Sequence, residues 1–443
     1  MGLPPDKYKK TVLLADLLHQ WLADQILPDN MLIDKFLEKL QNIDNLRDFC
    51  LYPREETAVP AAVPLKAEVF YGLEGKQKGV LKFLSAVLKQ KAPCTLLLYS
   101  DESMEWFRDD RAFLANFISL FFEVIKKGNR VKIIHTISRD ISEMFAAIDF
   151  WLPFYMTGAI EPYYCPRYRE HYFRRTMFIA PGIASLTSAT LHGLEKKAAN
   201  LLSTDINFIK TLTWEFNEYL NMCRPLMRVF AGTKSAQLEN LLTEFAGQVG
   251  DCFRLSNALS VNTMPEELLV RLLDRWVSDK RTKEKILSVQ NTRKQVFINN
   301  LRHHYYTEII TLPSPQEIKS GQVPVEMPEL AGTPVLFYSP KEYQLHLEHI
   351  LHLLESYNNY RLFLCHRSFH RDISLTVKDE TGVIIIKKDP PFTFFTINQP
   401  NMTNAFYCYL EDFINGIPLK SRDKLEVLSL LKALCHDIGK NGP

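Results

Sequence analysis

The sequence lacks a dominant charge. Lys and Arg number 53 and Asp and Glu 51, for a formal net charge of +2 over 443 residues. That removes the whole-chain basic field expected of many nucleic-acid binders. Paired cysteines are lacking as well. The eight present (Cys50, Cys94, Cys165, Cys223, Cys252, Cys365, Cys408 and Cys435) are scattered, and no CxxC occurs. Scattered thiols in apolar surroundings fit a reduced, cytoplasmic protein and argue against a disulfide framework or a zinc site. Long apolar runs are missing too. The greasiest stretch, 144–160, is broken by Asp149 and Pro153 and falls short of the ~20 residues that cross a bilayer. The opening MGLPPDKYKK has no apolar segment behind its charges, so neither a signal peptide nor a membrane partner is expected.

What remains is an ordinary globular composition, 46% hydrophobic and 23% charged, long enough for two or three domains without a metal or disulfide staple. Periodicity predicts helices over 6–24 and 31–41, then a Pro-rich linker at 53–65. The second helix is acidic and apolar, without the Arg, Asn and Gln that a recognition helix presents to bases. An α/β alternation follows: strands at 67–71, 94–100 and 130–137 with helices at 76–90 and 110–126, and short strands near 177–182 and 184–188. Residues 191–304 read as mostly helical, and strand signals return at 306–312, 334–339, 360–365 and 373–388. The expected division is a helical N-terminal segment (1–60), a first α/β lobe (61–190), a helical insertion (191–304), a second α/β lobe (305–415) and a C-terminal helix (416–443).

Internal similarity supports paired lobes. Tyr99-Ser100 is followed by a helix, polar turn residues and an apolar strand, then His135 and Arg139-Asp140-Ile141-Ser142. Tyr338-Ser339 opens the same sequence of elements, ending in His366 and Arg371-Asp372-Ile373-Ser374. Matching strand ends would face each other across a cleft, where open α/β sheets place ligands. The candidate ligand-binding residues are therefore His135, Arg139, Asp140, His366, Arg371 and Asp372, with the Arg side chains clamping a phosphate or carboxylate. The plainer reading is that Arg and Asp cap the next element.

Arg167 and Arg174 join the candidates from YYCPRYREHYFRR (163–175), four Arg among five aromatics. Such interleaving suits a nucleotide or a single strand, with rings stacking on bases and Arg on phosphates. The alternative is aromatics docked into the core with Arg reaching out to water. Four further features carry less. Basic residues at 280–302 fit a solvated helix face. Gly72-x-x-Gly75-Lys76 lacks the Walker spacing. CHDIGK (435–440) fits a helix end, and His346, His349 and His352 lack an accompanying carboxylate. No metal and no cofactor are expected.

The duplicated layout, with EVFYGLEGKQKGVLKFL opening it, resembles the phospholipase D-like fold. That resemblance implies two α/β lobes. Its catalytic members need His-x-Lys followed by Asp in each lobe. Here His135 is followed by Thr136-Ile137 and His366 by Arg367-Ser368, and no His-x-Lys occurs, so no catalytic residue is assigned. Over about 65–415, segments such as MFAAIDFWLPFYMTGAIEPYYCPRYREHYFRRTMFIAPG also resemble the C-terminal sensor region of clostridial-type helix-turn-helix transcriptional regulators. The resemblance implies a non-enzymatic sensing region for a small anionic ligand. DNA would be reached only through a DNA-binding domain absent from this chain, since nothing before Leu65 reads as one; a homodimer stays open. The alternatives are a phosphodiester-acting enzyme with a remodelled site built on His135, Arg139, His366 and Arg371, or an interaction scaffold.

Overall fold

The computed structural model describes residues 29–41, 67–102, 106, 110–136, 141–166, 172–231, 236–326, 336–365, 370, 372–389 and 392–439. Helix α1 (Asp29–Gln41) precedes a first sheet made from β1 (Ala67–Tyr71), β2 (Thr95–Ser100), β3 (Arg130–His135), β4 (Ile160–Tyr164), β5 (Phe173–Ala180), β6 (Ala184–Leu191), β7 (Ala199–Ser203) and β8 (Arg224–Pro225). Its helices are α2 (Gly72–Leu88), α3 (Arg111–Lys126), α4 (Ile141–Tyr155) and α5 (Ile206–Asn221). A second sheet takes β9 (Met227–Ala231), β10 (Cys252–Ser256), β11 (Tyr306–Ile310), β12 (Tyr360–Leu364), β13 (Ile373–Lys378), β14 (Gly382–Lys387) and β15 (Thr393–Ile397). Around it lie α6 (Ala236–Gly247), α7 (Glu266–Trp276), α8 (Lys280–Asn300), α9 (Pro315–Lys319), α10 (Pro340–Ser356), α11 (Pro400–Asn415) and α12 (Lys424–Gly439). Among the described residues no helix is long and apolar enough to cross a membrane.

Local chemistry sets the element ends. Asp110 accepts from the Phe113 amide at 2.9 Å to start α3, and Asp205 accepts from the Asn207 and Phe208 amides at 3.0 Å to start α5. Ser339 and Glu342 form a reciprocal capping box ahead of α10, with Pro340 in its first turn. In β2, Leu96 and Leu98 face α2 and α3, while Leu97 and Tyr99 face α5. A strand covered on both faces keeps a continuous apolar run instead of alternating.

Apart from β8, the two sheets have the same strand order and the same directions. The first runs β1-β7-β6-β5-β2-β3-β4-β8 and the second β9-β15-β14-β13-β10-β11-β12. In each, three parallel strands (β2, β3, β4; β10, β11, β12) adjoin four antiparallel ones. Lengths match as well: β1 and β9 have five residues each, and α5 and α11 have sixteen each. The pairing registers then equate Ser100 with Ser256, His135 with Ile310, Thr176 with Ser374 and Arg174 with Asp372. A single stretch joins the sheets. Arg224 and Pro225 pair with β4, the Leu226 amide donates to the Pro162 carbonyl at 2.9 Å, and Met227 onward pairs with β15.

This corrects the expected duplication and its boundaries. The segments 95–142 and 334–374 are not equivalent, because β3 lies inside its sheet between β2 and β4 while β12 ends its sheet beside β11 alone. The duplicated unit is β1 to α5 against β9 to α11. The stretch 191–304 is not a helical insertion, since it carries β7 of the first sheet and β9 and β10 of the second. The sheets meet at Leu226, so 190 and 305 do not bound them. Runs of five such as Ala199–Ser203 lie beside strong helical patterns, and only pairing across a sheet decides them. The strand expected at 334–339 reduces to one bridge, Pro324 to Phe337. The expected helix at 6–24 and linker at 53–65 lie outside the described residues.

Helix α1 fastens the two halves together. Its Ile33, Phe36, Leu37 and Leu40 are buried, against α4 of the first half and α11 of the second. The Phe36 ring lies 5.7 Å from Phe145 on α4 and 6.3 Å from Phe406 on α11, and those two rings are 5.9 Å apart. The Tyr409 hydroxyl donates to Asp34 Oδ1 at 2.8 Å, and Gln41 Oε1 meets His370 Nδ1 at 3.0 Å.

Candidate functional site

At the carboxyl end of the parallel strands each half holds a buried carboxylate between hydroxyls and a cation. In the first half it is Glu102, just past β2. Thr176 on β5 donates to Glu102 Oε1 at 3.0 Å and Ser188 on β6 at 3.2 Å. Lys76, on the buried face of α2, pairs with Glu102 and donates to Thr176 Oγ1 at 2.6 Å. Ser100 closes the cluster, 2.9 Å from Thr176. The Trp106 ring lies 5.0 Å from the Lys76 ammonium. Burial lowers the Lys76 pKa, and the facing Glu102 works against that shift.

In the second half the carboxylate is Glu326, which arrives from the connection after α9. It accepts from Arg254 at 2.8 Å, Ser374 at 3.0 Å, Ser256 at 3.0 Å and Lys388 at 2.7 Å. Ser256 and Ser374 are the register counterparts of Ser100 and Thr176, so equivalent strand ends carry hydroxyls for carboxylates of unrelated chain position. Lys388 and Arg254 overcome the cost of burial and hold the Glu326 pKa down to about 2. Arg254 also reaches Glu308 at 3.3 Å and the Ala258 carbonyl at 3.0 Å. Burial raises the pKa of Glu308, against the attraction of Arg254 and a hydrogen bond from the Tyr360 hydroxyl.

The second centre opens into a cavity of about 140 Å³ that both Arg254 and Glu326 line. Its floor is the second sheet, with Tyr306, Thr376, Ile384 and Ile386. Its roof is α6, through Leu242 and Phe245, and α8, through Arg293, Phe297 and Asn300. The volume is roughly ten times the ~10–15 Å³ that admits one water, room for a small organic molecule. Arg293 is buried on the same inward stripe of α8 as Ile286, Gln290 and Phe297. Lys378 also reaches the cavity, but its ammonium donates to the Phe245, Ala246 and Gln248 carbonyls at 2.6, 3.2 and 2.9 Å, tying down the end of α6.

The sequence candidates fall into three groups. Arg139, Asp140, Arg167, His366 and Arg371 lie outside the described residues. His135 and Arg174 stand at the same end of the first sheet. His135 Nε2 lies 2.6 Å from the Tyr155 hydroxyl, and burial lowers its pKa to about 4, leaving a neutral ring turned into the core. Arg174 donates to the Asp101 carbonyl at 2.7 Å and to His192 at 3.1 Å. Asp372 precedes β13, and its carbonyl accepts from the Lys388 amide at 2.7 Å. The counterpart of His135 is Ile310, so the structure does not pair His135 with the 366 region as the sequence repeat suggested.

The lesser features resolve as structure. Gly72 has φ +67°, and a Cβ there would stand 2.7 Å from the Lys196 carbonyl, so its glycine serves a close backbone approach. Lys283 and Lys285 on α8 are held by Asp274 and Glu239 at 2.9 and 2.6 Å. His346 is fixed between the Tyr338 hydroxyl and Thr263 at 3.0 and 3.1 Å, and no His, Cys, Asp and Glu cluster suited to a metal occurs among the described residues.

Sequence reasoning named Lys76 only as the end of a glycine loop and missed Glu102, Arg254, Glu308, Glu326 and Lys388. The available signal was charge inside apolar strands, as in CFRLS (252–256) and YTEII (306–310). A charged residue on a covered strand must find a partner.

No family model matches the chain, and no curated protein matches it. Among solved structures it is similar to TrmBL2, an archaeal chromatin protein, at 16% identity over 38% of this chain and 57% of that one, with a TM-score of 0.26. A polyphosphate kinase from Porphyromonas gingivalis aligns at 10% identity over 78% of this chain and 50% of the kinase, TM-score 0.27. Yeast tyrosyl-DNA phosphodiesterase aligns at 8% identity over 75% of this chain and 90% of its own, TM-score 0.17. These scores are too low to establish a shared fold, and the duplicated architecture stands on strand order and register.

Proposed function

We propose that the chain is a non-catalytic, ligand-sensing module of a transcription regulator, and that the cavity of its second half takes a small organic anion. The observation that carries this reading is Arg293 set against an apolar wall of Phe245, Phe297, Ile384 and Ile386 in one cavity of about 140 Å³, whose other arginine, Arg254, is already paired with Glu326 and Glu308. The Arg293 charge selects an acid and the apolar wall selects its carbon body. The regulatory part rests on the sequence resemblance. A ligand acts as a signal only through different affinity for two arrangements of the protein, and α1, wedged between α4 and α11, is placed to register a change between the halves. One observation favours phosphodiester chemistry instead: Thr176 donates to Glu102 at 3.0 Å while the Lys76 ammonium donates to Thr176 at 2.6 Å, so the carboxylate is the group placed to take the hydroxyl proton and Lys76 is the cation beside it.

Titration calorimetry with benzoate and with benzyl alcohol separates an acid-binding cavity from a merely apolar one. Benzoate is expected to bind the wild type and benzyl alcohol to bind at least tenfold more weakly. Arg293→Met should weaken benzoate at least tenfold, the scale of one charged hydrogen bond. Ile386→Phe, which fills the cavity without touching a charge, should do the same. Equal binding by all forms, or none by the wild type, overturns the ligand class. Hydrolysis of bis(p-nitrophenyl) phosphate by the wild type that disappears in Lys76→Met would replace the sensor with the enzyme.

A further inference from the structure

The outer face of the first sheet is only half covered. Along β5 and β2, Met177, Ile179, Leu97 and Tyr99 pack against α5. The same face of β1, β7 and β6 is open toward the end of β6 and the start of β7, while Ser185 and Ser203 at its other end are buried. Alternation puts Val69 and Tyr71 of β1, Ala199 of β7, Ala189 and Leu191 of β6 and Phe173 of β5 on it, and each of these side chains is exposed. Tyr71 pairs with Ala199, Ala189 with Arg175 and Leu191 with Phe173. The floor is thus two exposed alanines, with an aromatic ring at either side. Tyr71 is 74% exposed and Phe173 70%, and Tyr172 beside it is 71% exposed. Three strand spacings of ~4.8 Å separate β1 from β5, and Phe173 lies two residues (~7 Å) along from Arg175, which shares the row of Tyr71, so the two positions stand ~16 Å apart and can each take a separate flat partner.

The connection from β6 to β7 runs along the end of this trough. It starts where the His192 amide donates to the Tyr172 carbonyl at 2.9 Å and ends where the Gly72 amide donates to the Ala198 carbonyl at 2.8 Å. Between those points it exposes His192, Lys196 and Lys197; Arg174, which alternation turns to the other face from Phe173, is tied to His192 and to the Asp101 carbonyl. Glu195 and Glu74 are the acidic neighbours, and Glu195 is turned back on the Gly193 amide at 3.0 Å.

From this juxtaposition we infer that the open end of this face of β1, β7 and β6 binds single-stranded nucleic acid, with bases stacking on Tyr71 and Phe173 and phosphates on Lys196 and Lys197. A sheet face presenting spaced aromatics beside cations is a platform for unpaired bases, whose π-faces stack whatever their identity. Buried bases of a duplex cannot use it. The balanced net charge of the chain hides the surface, because its cations are local. The inference is independent of the cavity in the second half.

Fluorescence anisotropy with a labelled dT oligomer of about 12 nucleotides tests it, within the range of site sizes single-strand binders cover. Wild-type protein should bind, with affinity falling as salt rises. Tyr71→Ala and Phe173→Ala should each weaken binding about ten- to hundredfold, while Leu425→Ala, an exposed residue on α12, should leave it unchanged. Removing both Lys196 and Lys197 should flatten the log–log salt slope by about 1.4. Circular dichroism checks that the variants are folded. No binding by the wild type at low salt, or equal binding by the Tyr71→Ala/Phe173→Ala double variant, overturns the inference. Binding to phosphatidylserine vesicles but not to the oligomer overturns it in favour of a membrane surface.

Discussion

Glu326→Gln is expected to lower the stability of the second half by about 3–5 kcal/mol, the cost of breaking a buried ion pair from one side. The carboxylate accepts from Arg254, Lys388, Ser256 and Ser374, and an amide leaves the buried Arg254 and the half-buried Lys388 facing a neutral group. Glu308→Gln, one strand away and also bonded to Arg254, should cost about 1 kcal/mol or less at neutral pH. The difference comes from the environment. Glu326 has two cations, while Glu308 shares one cation with it and takes a hydrogen bond from Tyr360. An amide at 308 removes a charge that burial already opposes. Urea midpoints of the two variants at pH 7 test the contrast, and equal losses would show that the cluster does not distinguish its carboxylates.

The same pair gives a pH dependence with two signs. Glu326 has a folded pKa of about 2, below the ordinary ~4.3. Its contribution is present above ~4.3 and is lost as pH falls toward 2, an order of 3 kcal/mol at ~1.4 kcal/mol per unit. Glu308 is shifted upward by burial, so its contribution is present below its unfolded value and is lost as pH rises through its folded one. Acidification below pH 4 should therefore destabilise the wild type more than Glu326→Gln. A variant with the wild-type acid limb would place the titrating group elsewhere.

Much of the fold is legible in the sequence where one residue pattern admits one structure. The run TLLLYS (95–100) before a polar gap and the apolar helix 111–126 could only be a covered strand and its crossover. The turn in ISLTVKDETGVIIIKK likewise fixes the β13–β14 hairpin. What failed was long-range order. His135 and His366 follow similar-looking segments, yet β3 is interior and β12 terminal. That distinction is made by strand neighbours tens of residues away along the chain, which no local pattern encodes. The true repeat is nearly silent in sequence, because equivalent positions hold different chemistry: Arg174 against Asp372, His135 against Ile310. Only Ser100 with Ser256, and Thr176 with Ser374, keep a common hydroxyl. Glu102 and Glu326 do matching work from unmatched places in the chain, so a search for aligned acids could not find them.

Phe36→Ala should release α1 from both halves at once. The ring is buried against Phe145 and Phe406, and deleting a buried phenyl group costs about 3–5 kcal/mol. A thirteen-residue helix is marginal alone in water, so α1 owes its helicity to this docking, and its remaining polar contacts to Tyr409 and His370 are few. Amide exchange in α1 should rise by orders of magnitude, while the amides of β2 and β10, inside their sheets, stay protected. The contrast matters because α4 and α11 belong to different sheets, and the Phe36–Phe145–Phe406 cluster is where they meet. If α1 loosens alone, it is a clasp laid over a joint that stands without it. If β10 loosens with it, α1 is part of what holds the halves in register, and any signal from the cavity must work against that wedge. Unchanged protection of α1 in Phe36→Ala would remove the clasp from the account.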